Sequence, residues 1–285
     1  MTDGEAGWVQ QPLQIERPEA VIKAELHGST NGPLVVFTHG GWMDRHMFDA
    51  QVQPLVAAGY CVLLWDVAGH GESLPRGVER PSVAQMGTDL LAVLDALGPI
   101  EPVFLVGQSL GGMISQHVAL VAPERVAGLV TIGSPCINPE NPRLAKRMTA
   151  LWRISACVAG LLPTSLLLRQ LPKGTALTPE AQEYVQTVTQ NVTKENFRWL
   201  TEAAREAGRG LQGRSIQVPL LIIRGEQDIS GSGRLTVMTA QHWLERDPQA
   251  RYSEIPDAGH QAHQDQPEIF NELLLDYLSA ARHTH

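Results

Sequence analysis

Cysteine is scarce in this chain. Its 285 residues hold three, Cys61, Cys136 and Cys157, and no two are closely spaced. A sparse, odd count gives no basis for a disulfide framework and suits a reducing, cytoplasmic compartment. Cys61 sits inside an apolar run and reads as a small hydrophobe rather than a reactive thiol. Neither C-x-x-C nor H-E-x-x-H occurs, so no metal and no cofactor are expected. No apolar run approaches the ~18 residues that a bilayer span requires, and no membrane partner is expected. The N-terminal residues Met1 to Gln11 are polar and acidic, without the basic and apolar regions of a secretory signal. Lys and Arg form no block, and the net charge is −8, which argues against a nucleic-acid partner. Internal repeats and low-complexity segments are also missing. Glycines at 40, 41, 111 and 112 do not fall into G-x-G-x-x-G, and no P-loop lysine follows them.

What is present is a β/α rhythm. The spacing predicts strands at Ala20–Leu26, Leu34–Thr38, Tyr60–Trp65, Val103–Val106 and Val126–Ile132. Helices are predicted over Phe48–Ala58 (ended by Gly59), Val83–Leu97 (ended by Gly98-Pro99) and Met113–Ala122. Such alternation implies a parallel sheet with helices on both faces. After Gly133-Ser134-Pro135 strand signals stop. Leu144–Leu162, Leu166–Leu171, Pro179–Val192 and Lys194–Ala207 read as helices, with Pro163, Pro172 and Pro179 as breaks or starts. The rhythm resumes with a strand at Val218–Ile223, a helix at Leu235–Glu245, a strand at Arg251–Ile255 and a helix at Pro267–Ala281. One α/β domain, residues 1–135 and 215–285, thus carries a helical insertion, residues 136–214.

The chemistry is signalled by Gly107-Gln108-Ser109-Leu110-Gly111 between a strand and a helix. A serine flanked in this way marks a nucleophile elbow, whose tight turn leaves no room for side chains at the glycine positions. A serine hydroxyl needs a base, and a histidine base needs an orienting carboxylate. In elbow enzymes the acid and then the histidine follow the serine in sequence. Asp228 lies in the loop after Val218–Ile223, and His260 lies in the loop after Arg251–Ile255. Loops at the carboxyl ends of parallel strands gather on one edge of the sheet. Glu226, Glu140 and Asp257 compete for the role of acid, and His263 competes with His260. A tetrahedral oxyanion needs two N–H donors. Leu110 supplies one, and the turn His39-Gly40-Gly41-Trp42 supplies the other from Gly41, with Trp42 as the alternative. Trp42 is also the candidate substrate-binding residue.

Together these motifs resemble the α/β-hydrolase superfamily over nearly the whole chain. The resemblance includes Asp66-Val67-Ala68-Gly69-His70-Gly71-Glu72-Ser73, which is similar to the family's D-x-R-G-H-G-x-S turn with Ala68 where arginine is frequent. It implies a mostly parallel eight-stranded sheet with helices on both faces and a helical cap over the site. It also implies Ser109 as nucleophile, Asp228 as acid and His260 as base, with His70 and Ser73 as structural turn residues. Relatives resembling haloalkane dehalogenases and epoxide hydrolases carry aspartate at the nucleophile position, which disfavours those activities here. The expected function is hydrolysis of an apolar carboxylic ester or lactone, a small-molecule substrate, through an acyl-enzyme. C–C bond hydrolysis of a β-diketone, perhydrolase or haloperoxidase activity, lyase activity of the hydroxynitrile type, and a ligand receptor with a residual triad are the alternatives.

Overall fold

The computed structural model describes residues 10–75, 81–98 and 100–282. Pro99 and most of the polar N-terminal stretch lie outside the described residues. Nine strands form one sheet: β1 (Gln10–Glu16), β2 (Ala20–His27), β3 (Leu34–Thr38), β4 (Cys61–Trp65), β5 (Leu74–Pro75), β6 (Val103–Gln108), β7 (Val126–Ile132), β8 (Leu220–Gly225) and β9 (Ala250–Ile255). Eight of them run in the order β1-β2-β4-β3-β6-β7-β8-β9, and the two-residue β5 pairs with β2 off this path. The first two pairings, β1 with β2 and β2 with β4, are antiparallel. From β4 to β9 every pairing is parallel. β3 and β4 are buried at all positions, as strands covered on both faces must be. β2 alternates buried and half-buried residues, so one of its faces meets the core.

The helices follow their apolar stripes. α1 (Asp49–Ala57) comes after a single 3-10 turn, Arg45–Phe48. α2 (Val83–Ala96) starts at the Ser82 cap, whose hydroxyl accepts from the Gln85 N–H. α3 (Leu110–Val121) begins three residues before the predicted start. Gly111 and Gly112, expected to lie in the turn, are helical, because the reversal is completed at Ser109 itself. Four helices separate β7 from β8: α4 (Pro142–Leu161), α5 (Thr164–Thr175), α6 (Pro179–Thr189) and α7 (Lys194–Glu206). Pro172 does not break α5 as predicted. It lies within the last turn, where a missing N–H forfeits only one helical bond, and its carbonyl still accepts from Ala176. α8 (Gly231–Arg246) starts at the Ser230 cap, α9 is the short turn Ala262–Asp265, and α10 (Pro267–Arg282) ends the fold.

The core divides across the sheet. On one side α2 and α3 pack with Trp243 of α8, and on the other α1 packs with α10 through Leu55, Phe270 and Leu274. β3 and β6 are neighbours, and the chain leaves them in opposite directions, β3 towards β4 and β6 towards β7. This is the topological switch point at which open α/β sheets open a crevice.

Candidate active site

The elbow stands at that switch point. Ser109 follows β6 with φ 49° and ψ −108°, a left-handed φ that a non-glycine residue adopts only under constraint. The constraint is backbone packing. A Cβ on Gly107 would lie 2.3 Å from the Gly111 carbonyl oxygen, and one on Gly111 would lie 2.0 Å from the Thr38 carbonyl oxygen. Glycine is required at both positions. The Ser109 N–H donates to the Ile132 carbonyl at 2.8 Å, tying the elbow to β7. Leu110 is buried at the first position of α3, with its N–H among the free donors of a helix N-terminus.

Beside the elbow, β3 ends in the His39–Trp42 turn. His39 is fully buried and does not line the cavity. Its Nδ1–H donates to the Gly40 carbonyl at 2.8 Å, and its Nε2 accepts from the Val67 N–H at 2.9 Å. Burial lowers its pKa and favours the neutral ring that this pair of bonds requires. His39 therefore braces the turn. Gly41 lies directly under Leu200 of α7, where a Cβ would come within 2.5 Å of that side chain. Trp42, at φ 67°, packs on Phe197 with ring centroids 4.2 Å apart, and its buried indole N–H has no partner.

Asp228 and His260 come together as their positions after β8 and β9 predict. His260 Nδ1–H donates to Asp228 Oδ2 at 2.8 Å. The other carboxylate oxygen, Oδ1, accepts from the Ser230 N–H at 2.9 Å. Asp228 is 1% exposed. Burial alone would raise its pKa, but the His260 charge and the hydrogen bonds from His260 and Ser230 outweigh burial and hold it below the usual carboxylate range. Two glycines make room for the pair: a Cβ on Gly233 would meet the Asp228 carboxyl at 2.1 Å, and one on Gly133 would meet His260 Nδ1 at 2.7 Å.

The competing residues lie elsewhere. Glu226, Glu140 and Asp257 are exposed. His263 is buried between Phe48 and Phe270, away from the cavity wall. His70 packs between His39 and Trp199. Ser73 Oγ donates to the Asp66 carbonyl and accepts from the Lys23 N–H. The arginine missing at Ala68 has a counterpart from another turn. Arg45 reaches Asp66 at 2.5 Å, Glu25 at 2.7 Å and Glu72 at 2.6 Å.

Several residues that the sequence did not single out hold this site. Gln108 donates from Nε2 to the His260 carbonyl at 3.1 Å, and its Oε1 fills the space a Cβ on Gly40 would need. Ser230 Oγ lies 3.1 Å from His260 Nδ1 and accepts from the Gly233 N–H at 2.9 Å. Asp265, 4% exposed, binds two elements at once. Its Oδ2 accepts from the Gly259 N–H at 2.8 Å, and its Oδ1 accepts from the N–H groups of Leu177 and Thr178 at 2.8 and 2.9 Å. The loop carrying His260 is thus clasped to the start of α6.

Ser109 and His260 both face a cavity of about 500 Å³. α4, α5 and α7 close it from above, with Trp152, Leu171 and Phe197 among the lining residues. Among the described residues His260 is the sole titratable group on its wall. Among the described residues no three His, Cys, Asp or Glu side chains cluster in a way that could hold a metal ion.

The family model described as "Alpha/beta hydrolase family" matches residues 35–273. The chain is 25% identical to bifunctional epoxide hydrolase 2 of Sus scrofa over 87% of its own length, but spans only about half (52%) of that protein. It is 26% identical to esterase Rv0045c of Mycobacterium tuberculosis, over 95% of this chain and 92% of the esterase. The solved structure of Est816, titled as an N-acyl homoserine lactone degrading enzyme, is 26% identical with a TM-score of 0.73, over 93% of this chain and 99% of that one. A parallel sheet with a serine elbow at its switch point and a family match from β3 into α10 lead to one assignment: the chain belongs to the alpha/beta hydrolase family.

Proposed function

We propose that the protein is a serine hydrolase that cleaves an uncharged, apolar carboxylic ester or lactone through an acyl-enzyme. The reading rests on one observation above the others: Ser109 and His260 share an apolar cavity while Asp228 holds the imidazole from behind. In the proposed cycle His260 takes the Ser109 proton as the hydroxyl attacks the carbonyl carbon, and the Asp228 carboxylate stabilises the imidazolium that forms. The oxyanion is held by the backbone N–H groups of Leu110 and Gly41, each worth about 3–4 kcal/mol of barrier. His260 returns the proton to the leaving oxygen, and water then repeats the sequence on the acyl-serine. Residues 136–214 act as the cap domain that excludes bulk water during both halves.

Two further points support the reading, the first on substrate charge and the second on reaction type. Among the described residues no Lys or Arg lines the cavity, so a carboxylate group on the substrate would be desolvated there without a partner from them. Ser109 occupies the nucleophile position, so epoxide opening through an aspartyl ester, as expected of relatives that carry aspartate there, has no nucleophile in this chain. The test is labelling with a fluorophosphonate together with turnover of p-nitrophenyl esters and lactones. Wild type should label and turn over, and Ser109→Ala should do neither. Equal turnover by the two proteins would overturn the assignment.

A further inference from the structure

The outer surface around the cavity mouth differs in charge and polarity from the rest of the chain. Residues 136–214 hold half of the chain's 22 Lys and Arg but only six of its 30 Asp and Glu. Between residues 141 and 179 there are six Lys and Arg (Arg143, Lys146, Arg147, Arg153, Arg169 and Lys173) and no Asp or Glu. All six are exposed. Arg153 is close enough to Glu202 of α7 to lower that residue's pKa, so part of its charge is matched within the protein. Of the rest, Arg143, Lys146 and Arg147 follow one another on α4, in a chain whose net charge is −8.

α4 also exposes hydrocarbon. Ile154 is 58% exposed, Val158 49% and Leu161 85%. At 3.6 residues per turn, Arg143, Arg147, Ile154, Val158 and Leu161 fall within about 60° of one another around α4. The helix is therefore basic in its first half and apolar in its second along a single outward stripe. The apolar end is continuous with the cavity, since Ile154 and Val158 also line its wall.

We infer that this stripe docks the protein on an anionic phospholipid surface, with the cavity mouth turned towards the bilayer. Exposed apolar residues beside clustered Lys and Arg are what a surface-lying helix requires. The hydrocarbon enters the headgroup boundary and the cations meet the lipid phosphates. The contact lies on the surface and does not span it; among the described residues no helix is long and apolar enough to cross a membrane. A second copy of the chain fits the stripe poorly. A parallel two-fold pairing through α4 would set Arg143, Lys146 and Arg147 near their own copies, where like charges oppose association, and an antiparallel one would press them onto the apolar half, where their charges lose water without gaining a partner. Binding does not depend on the acyl chemistry. Only its use, passing an ester from the lipid phase to Ser109, rests on the proposed function.

The experiment is co-sedimentation of the full chain with vesicles of phosphatidylcholine alone and of phosphatidylcholine mixed with phosphatidylglycerol, at low and high salt. Binding should require phosphatidylglycerol and fall as salt rises. Arg143→Glu with Arg147→Glu should weaken it by at least about twenty-five-fold, taking roughly fivefold for each basic residue lost. Leu161→Asp should weaken it as well. Far-UV circular dichroism and a thermal midpoint equal to wild type establish that the variants fold, and Ser109→Ala should bind as wild type does. Equal binding to both vesicle types, no binding to either, or unchanged binding by the variants would overturn the inference. So would a dimer seen by sedimentation velocity that Leu161→Asp splits, which would give the stripe to a second copy.

Discussion

Replacing His263 with leucine should change how the stability of this protein depends on pH. The His263 imidazole is fully buried, packs 4.7 Å from Phe48 and 5.8 Å from Phe270 by ring centroids, and makes no well-formed hydrogen bond at either nitrogen, the Met47 backbone only weakly favouring its charged form. Burial, reinforced by the like charge of His260, pushes its pKa down to about 3. An unfolded histidine titrates near 6.5. As pH falls below about 6.5 the unfolded chain takes up a proton that the native chain refuses, so the native state loses ground. Between pH 7.5 and 5.5 that loss is about 1.4 kcal/mol from this one residue. His39 and His117 shift in the same direction through burial and add to the acid sensitivity. His263→Leu removes one share. It also removes two unpartnered polar atoms, so it should not destabilise the protein strongly at pH 7.5. Urea unfolding followed by circular dichroism at both pH values measures the difference. Wild type should lose about 1.4 kcal/mol more than the variant over this range. Parallel losses would refute the reasoning and mean that His263 takes its proton in the native state as readily as in the unfolded one.

Two further substitutions probe the site. Gly233→Ala would drive a methyl group into the Asp228 carboxyl, and kcat for ester turnover should fall on the order of a thousandfold while urea unfolding reports about 1–3 kcal/mol of lost stability from overpacking. Asp265→Asn cannot accept from both the Gly259 N–H and the Leu177 and Thr178 N–H groups without turning its own NH2 towards one of them. Its urea midpoint should report about 2–3 kcal/mol of lost stability, with a fall in kcat because the lost bond adjoins His260.

Much of the scaffold was readable before folding, and the reasons differ by element. β3, β4, β6, β7 and β8 are covered on both faces, so each appears as an unbroken apolar run. β1 was missed. Its residues, QQPLQIE, are polar and include Pro12, which an edge strand tolerates because the proline needs no partner on its outer side. The sequence puts the start of α3 three residues late because glycine usually signals a turn. Here the glycines serve close packing inside a helix. Ser109, Asp228 and His260 could be ordered because each follows a legible strand. Gln108, Ser230, Gly233 and Asp265 could not be selected. Their meaning lies in contacts such as that between Gln108 and His260, 152 positions apart, and no local pattern encodes such a contact.

The double grip of Asp265 limits how this protein can diversify. Chimeras that graft foreign helices between β7 and β8 would also inherit or lose the tether of His260, the proposed base, because one carboxylate serves both. Selectivity and catalytic competence are therefore linked at this seam. A graft that retains residues 175–178 together with 259–265 should tolerate new helices between β7 and β8 better than one cut at the strand ends.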